Sequence, residues 1–149
     1  PTGQKFLIDP YLANNPAFPN ALGPEVTAPG AYQTLLVTHP HVDHFEDALP
    51  LLQGDRALKI ICQFEIGAWL KAQGVQENQV VGMNTGGTIP HRDVRITMVP
   101  AIHTSSITEA GVSRPLGFPI GYVLRYANGF TIYNAGDTAV LPIERLAPR

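Results

Sequence analysis

Six consecutive residues, His39-Pro40-His41-Val42-Asp43-His44, carry three of the chain's five histidines and a carboxylate. Imidazole nitrogen and carboxylate oxygen are the donors that borderline divalent metals such as zinc prefer. His39 and His41 are two positions apart, so on an extended backbone they share a face and can grip one ion. Asp43 and His44 are adjacent and would diverge on a strand. If the chain turns here, they face a second ion instead. Two metals about 3.5–4 Å apart are a recurring arrangement for hydrolysis. The spacing therefore predicts a hydrolytic centre holding one or two divalent ions: Zn2+ first, with Mn2+ or Fe as alternatives.

Such ligands need rigid elements behind them. The apolar run Thr34–Thr38 reads as a strand that delivers the histidine cluster to a sheet rim. The alternating segment Asp93–Ala101 reads as a half-buried strand leading into His103, Thr104, Ser105 and Ser106. Gly121–Tyr126 and Phe130–Tyr133 flank Asn128-Gly129, a pair suited to the positive-φ positions of a hairpin turn. The second hairpin strand runs into Gly136-Asp137. Three strand ends thus each offer a metal-competent residue, and their joint occurrence predicts one shared site.

The remaining elements alternate between strand and helix. Gln4–Ile8 and Ala57–Cys62 are predicted strands. The stretch from Pro10 to Pro29 holds five prolines and is expected to be a surface loop. Asp47 is expected to cap a short helix, with Pro50 tolerated in its first turn. Phe64–Gln73 is a predicted helix, with Ile66, Trp69 and Leu70 on one core face and Gly74 ending it. Tyr122, Tyr126 and Tyr133 are expected to pack. His91 is expected to sit exposed in a turn, without a catalytic part.

The segments Ile8-Asp9-Pro10, Thr38–His44, Asn84–Gly87, Ala101–Ser105 and Tyr133–Thr138 together resemble the metallo-β-lactamase superfamily. Within it, they look like the metal-dependent hydrolases related to ascorbate-phosphate lactonase. The resemblance implies an α/β, four-layer αββα sandwich, of which this chain is an incomplete portion. It also implies that His39, His41 and His103 bind one metal, that Asp43 and His44 bind a second, and that Asp137 bridges them. Asp9 would support the histidine loop from beneath. The family's second metal usually takes one more histidine far down the chain, and none follows His103 here. Residues 1–149 are expected to be one hydrolase domain. That domain is expected to lack the strands that precede Asp9 in the family and the C-terminal part.

Composition agrees with a water-facing enzyme domain. The chain has 149 residues and 44% hydrophobic content, enough for one core. A net charge of −2 without a basic run disfavours nucleic acid, and so a nuclease of the same superfamily. No apolar run approaches the roughly 20 residues of a membrane span. The single Cys62 excludes an internal disulfide and suits a reducing, cytoplasmic compartment. Apolar sheet surface left by missing elements would be covered by the rest of the chain or by a second copy, as a homo-oligomer.

The leading expectation is a hydrolase in which metal-activated water attacks a small ester, lactone or phosphoester, such as a phosphorylated or acidic sugar derivative. Asp43 would bind metal and also orient the nucleophile or take its proton. Thr104 and Ser105 are candidate substrate contacts. An iron-binding redox or oxygen-handling protein and a non-catalytic metal-binding homologue are the alternatives.

Overall fold

The structure is a computed structural model and describes residues 3–140; Pro1, Thr2 and residues 141–149 of the expected domain lie outside it. Strands β1 (Phe6–Ile8), β2 (Thr34–Leu36), β3 (Lys59–Gln63) and β4 (Val80–Met83) form a sheet in that order, and all its pairings are parallel. Parallel neighbours need crossovers. A short helix, α1 (Gly23–Thr27), lies between β1 and β2, while α2 (Val42–Phe45) and α3 (Ala48–Gly54) connect β2 to β3. Helix α4 (Phe64–Ala72) connects β3 to β4. Successive strand residues point to opposite faces, so each continuous apolar run feeds two cores. Leu35, Ile60 and Cys62 pack against Phe45, Ala48, Leu52, Ile66 and Leu70 of the helices. Leu36 and Ile61 face the other way, onto a second sheet.

That second sheet contains β5 (Thr88–His91), β6 (Val94–Pro100), β9 (Ile120–Tyr126) and β10 (Thr131–Asn134), antiparallel in the order β10-β9-β6-β5. Val94, Ile96, Met98, Ile120, Tyr122 and Leu124 form its inner face. Between β6 and β9 the chain makes a separate hairpin of β7 (Ser106–Glu109) and β8 (Val112–Pro115). Among the described residues the layers are therefore helices, parallel sheet and antiparallel sheet. This is three layers of the expected four, and Arg95 and Arg125 stand exposed side by side on the outer face.

Tyr122 ties the two sheets together. Its ring is fully buried, and its hydroxyl lies 2.8 Å from the Val37 carbonyl and 2.9 Å from that of Ile61. A phenol has one proton to donate, so the two carbonyls share it.

Several local expectations are met and others corrected. Helix α4 buries Ile66 and Leu70, while Trp69 is only partly buried. Gly74 ends that helix at φ +89°, with Val75 N–H donating to the Leu70 carbonyl. The stretch after Pro10 is not all loop, because it holds a short 3-10 turn at Asn20–Leu22 and α1. Asp47 stands at the start of α3 but makes no side-chain cap; its carboxylate accepts instead from Leu12 N–H at 2.5 Å and Ala13 N–H at 3.2 Å. A charged acceptor paired to two distant amides anchors the loop after Asp9 more firmly than a local cap would. His91 is a strand residue of β5, half-buried, and its Nε2 bonds the Thr34 hydroxyl at 2.9 Å. Tyr133 is 47% exposed, because it points to the uncovered face of the second sheet. In the β9–β10 turn only Gly129 takes a positive φ, with Phe130 N–H donating to the Asn128 side chain.

Candidate metal centre

The two sheets bring their ligand-bearing strand ends to one rim. β1 and β2 are parallel, so Asp9 and the histidine cluster leave the same edge of the first sheet. β6 and β10 both run antiparallel to β9, so the chain leaving each exits on one edge of the second sheet, toward His103 and Asp137. The edges meet at Thr38, whose carbonyl accepts from Ile120 N–H at 3.1 Å. Ile102 N–H donates to the Thr138 hydroxyl at 2.9 Å, and Ala139 N–H donates to the Ile102 carbonyl at 3.0 Å. These bonds tie the His103 and Asp137 loops to each other. Gly136 makes the close approach feasible. Its φ is +59°, and a Cβ there would stand 2.8 Å from the Ile120 carbonyl and 2.9 Å from Thr38 Cβ.

Four imidazoles gather at this rim. Ring centroids of His39 lie 4.5 Å from His41, 4.2 Å from His44 and 5.0 Å from His103, and His41 is 5.2 Å from His103. Two triads, His39–His41–His103 and His39–His44–Asp137, each hold their donor atoms within 4.8 Å of one another. Asp137 Oδ2 lies 3.4 Å from His44 Nε2 and 3.7 Å from His103 Nε2, between the two groups. The chain does turn after His41: His44 N–H donates to the His41 carbonyl, and α2 follows. This puts His44 Nε2 3.8 Å from the Asp43 carboxylate, which is largely exposed.

The hydrogen bonds beneath the cluster fix which nitrogens face inward. Asp9, held at φ +51°, accepts from Thr38 N–H and from the Thr38 hydroxyl, both at 2.7 Å, and from His44 Nδ1 at 3.0 Å. With its proton committed to Asp9, the Thr38 hydroxyl can only accept from His39 Nδ1, 3.1 Å away. His39 and His44 thus each turn a lone pair at Nε2 toward the centre. His41 presents Nδ1, 2.9 Å from His39 Nε2, while its Nε2 points to Thr104 Oγ1 at 3.5 Å. A histidine held through one nitrogen by a carboxylate or hydroxyl is the arrangement metal ligands use.

Charge states follow from the packing. Burial, reinforced by the neighbouring His44 and His41, lowers the pKa of His39 to about 4. Burial and His103 lower that of His41. The bond to Asp9 outweighs burial at His44 and raises its pKa. The donor set fits a divalent ion: imidazole nitrogens facing inward, a carboxylate between the two groups, and hydrogen bonds to Asp9 and Thr38 that orient the His44 and His39 rings.

Of the two hydroxyls expected to meet substrate, Thr104 faces His41, whereas Ser105 Oγ donates to the Leu116 carbonyl at 2.6 Å. Thr38, which links Asp9 to His39, is marked in the sequence only by its place immediately before the cluster. A cavity of about 680 Å³ beside His41 and Asp43, walled in part by Trp69, Ile107 and Glu109, has no local signal in the sequence.

A family model described as beta-lactamase superfamily domain matches residues 4–149. The chain belongs to this family, the metallo-β-lactamase superfamily. Among its relatives is a protein of Roseiflexus sp. (strain RS-1) named UPF0173 metal-dependent hydrolase. It is 42% identical over 140 residues, which cover 94% of this chain and 57% of the relative. A relative of the same name from Rubrobacter xylanophilus is 41% identical over 147 residues, covering 98% of this chain and 58% of its own length. The chain thus spans a little over half the length of these relatives. Among solved structures, Igni18, a metallo hydrolase from Ignicoccus hospitalis, superposes with a TM-score of 0.74 at 26% identity, covering 97% of this chain and 58% of that one.

Proposed function

We propose that this chain carries the metal centre of a hydrolase that acts on a small ester, lactone or phosphoester. The observation that carries the reading is the convergence of four imidazoles and Asp137 at one rim, with ring nitrogens already turned inward. The names of its relatives support the same class. His39, His41 and His103 would hold one divalent ion and His44 and Asp43 a second, with Asp137 between them. Such ions supply an acidified water and an electrophile for the substrate oxygen. The chain's own residues do the rest. Asp9 and Thr38 hold the imidazole tautomers, Asp43 is exposed beside the centre and placed to take a proton, and Thr104 faces the same space. The donor set suits zinc, manganese or iron, and availability decides among them. The partner in this reading is a small molecule, not nucleic acid. A reducing, cytoplasmic setting suits the one free and buried thiol, Cys62. Among the described residues, no helix is long and apolar enough to cross a membrane.

Elemental analysis of the full-length protein, wild type and Asp137→Ala, together with an ester, lactone and phosphoester screen of wild type and His39→Ala, tests this. The expected result is close to two ions per wild-type chain, fewer in Asp137→Ala, and turnover that His39→Ala abolishes without unfolding the protein. Turnover that survives His39→Ala, or a folded wild type that takes up no metal, refutes it.

A further inference from the structure

The cavity beside the cluster lies between the α2–α3 segment, from His41 to Pro50, and strand β7, with Trp69 of α4 completing the wall. Its volume, about 680 Å³, is that of a small-molecule site. Phe45 and Trp69 form part of its wall, their rings 5.6 Å apart at 59°, and Val42, Leu49 and Ile107 complete an apolar surface. Val42, 63% exposed, belongs to the same lining.

The carboxylates in that wall are Asp43, Glu46 and Glu109, and among the described residues no lysine or arginine lines the cavity. Glu109 accepts from the Trp69 indole at 3.1 Å, which holds the hairpin to α4. Glu46 uses one oxygen to accept from Asn14 Nδ2 at 2.8 Å.

We propose that this cavity is the subsite for the non-reacting part of the substrate, and that it selects an apolar or aromatic group that is uncharged or cationic. Such a group packs against Trp69, Ile107, Val42 and Leu49, with Phe45 backing the tryptophan ring. Away from the His41 end an anionic group is disfavoured, because the wall there offers it the carboxylates of Glu46 and Glu109 and, among the described residues, no lysine or arginine. This places an aromatic or alkyl ester or lactone ahead of the acidic sugar derivative that the resemblance suggested. The inference rests on the hydrolase reading only in naming the ligand a substrate.

Trp69 is the chain's single tryptophan and lines the cavity, so its emission reports occupancy whether or not turnover occurs. The test titrates the full-length protein, as isolated with its metal, with three ligands of one size: benzyl alcohol, benzylamine (protonated at neutral pH) and phenylmethanesulfonate. A Trp69→Phe variant identifies the responding signal. Saturable changes with the first two, and at least tenfold weaker binding of the sulfonate, are expected. Glu46→Gln with Glu109→Gln should shrink that preference about tenfold. Equal or tighter binding of the sulfonate overturns the proposal, as does the absence of a saturable response to all three. Binding without hydrolysis in the screen above would leave this subsite standing and sink the hydrolase reading.

Discussion

The carboxylate of Asp9 touches no ion in the proposed arrangement, yet changing one of its oxygens to nitrogen should weaken metal binding more than most substitutions near the site. It accepts three hydrogen bonds, from Thr38 N–H, the Thr38 hydroxyl and His44 Nδ1. Asp9→Asn keeps one acceptor oxygen, which can retain the Thr38 amide. The new amide nitrogen faces the Thr38 hydroxyl and His44, and both must then become acceptors. His44 is driven to the tautomer protonated at Nε2, the nitrogen that lies 3.4 Å from Asp137 and would bind metal. The backbone is not the cause of the effect, since asparagine tolerates the left-handed φ of +51° at this position. Loss of such a supporting partner typically costs 10–100-fold in metal affinity, about 1.4–2.8 kcal/mol. The metal-free variant should also lose charge-assisted bonds worth about 1.5–3 kcal/mol, lowering Tm by roughly 3–12 °C for a domain of this size. The assays are calorimetric zinc titration of chelator-treated protein and nitrogen chemical shifts of the His44 ring. Unchanged affinity together with an unchanged His44 tautomer would refute the reasoning, whatever happened to Tm.

Three further outcomes follow from the packing. Tyr122→Phe removes the proton shared by the Val37 and Ile61 carbonyls, and should cost about 1–3 kcal/mol in urea unfolding with the m-value unchanged. Gly136→Ala adds a Cβ 2.8 Å from a carbonyl at a left-handed φ; it should destabilise by about 2 kcal/mol or more and lower metal content by displacing Asp137, which parallel melting and elemental analysis would check. The Cys62 thiol, whose pKa burial pushes up to about 12, should resist iodoacetamide in the native state at pH 8 and react on unfolding. Because the folded thiol holds its proton more tightly than the unfolded one, its contribution to stability is full below pH 9 and is lost as pH rises toward 12. Tyr122 acts in the same direction, so a urea midpoint that stays flat from pH 8 to 11 would contradict both.

What the sequence made legible was local. The His39–His44 spacing, the alternation before His103 and the turn before Asp137 are readable within about ten residues, because side-chain direction on a strand has a period of two. What it hid was long-range. Nothing near Asp47 says that its carboxylate will serve amides at Leu12 and Ala13, 35 and 34 positions away, rather than its own helix. His91 looked like a turn residue until β1 and β2 brought Thr34 alongside it. Tyr122 and Tyr133 sit on paired strands with similar neighbours, yet one is fully buried and the other half-exposed. Which face of a sheet meets another layer is a property of the assembly, and no strand carries that information alone. The cavity is likewise formed by three separate segments that meet only in the fold.

His39, His41 and His44 leave the first sheet, whereas His103 and Asp137 leave the second. An ion held by both sets is therefore a clasp across the sandwich seam, and its concentration becomes a variable in the protein's folding equilibrium. At free metal a hundredfold above Kd, mass action adds about 2.7 kcal/mol, a sizeable share of a typical domain's total. A chelator would then lower the melting temperature by withdrawing that share, as a modest dose of denaturant does to other proteins.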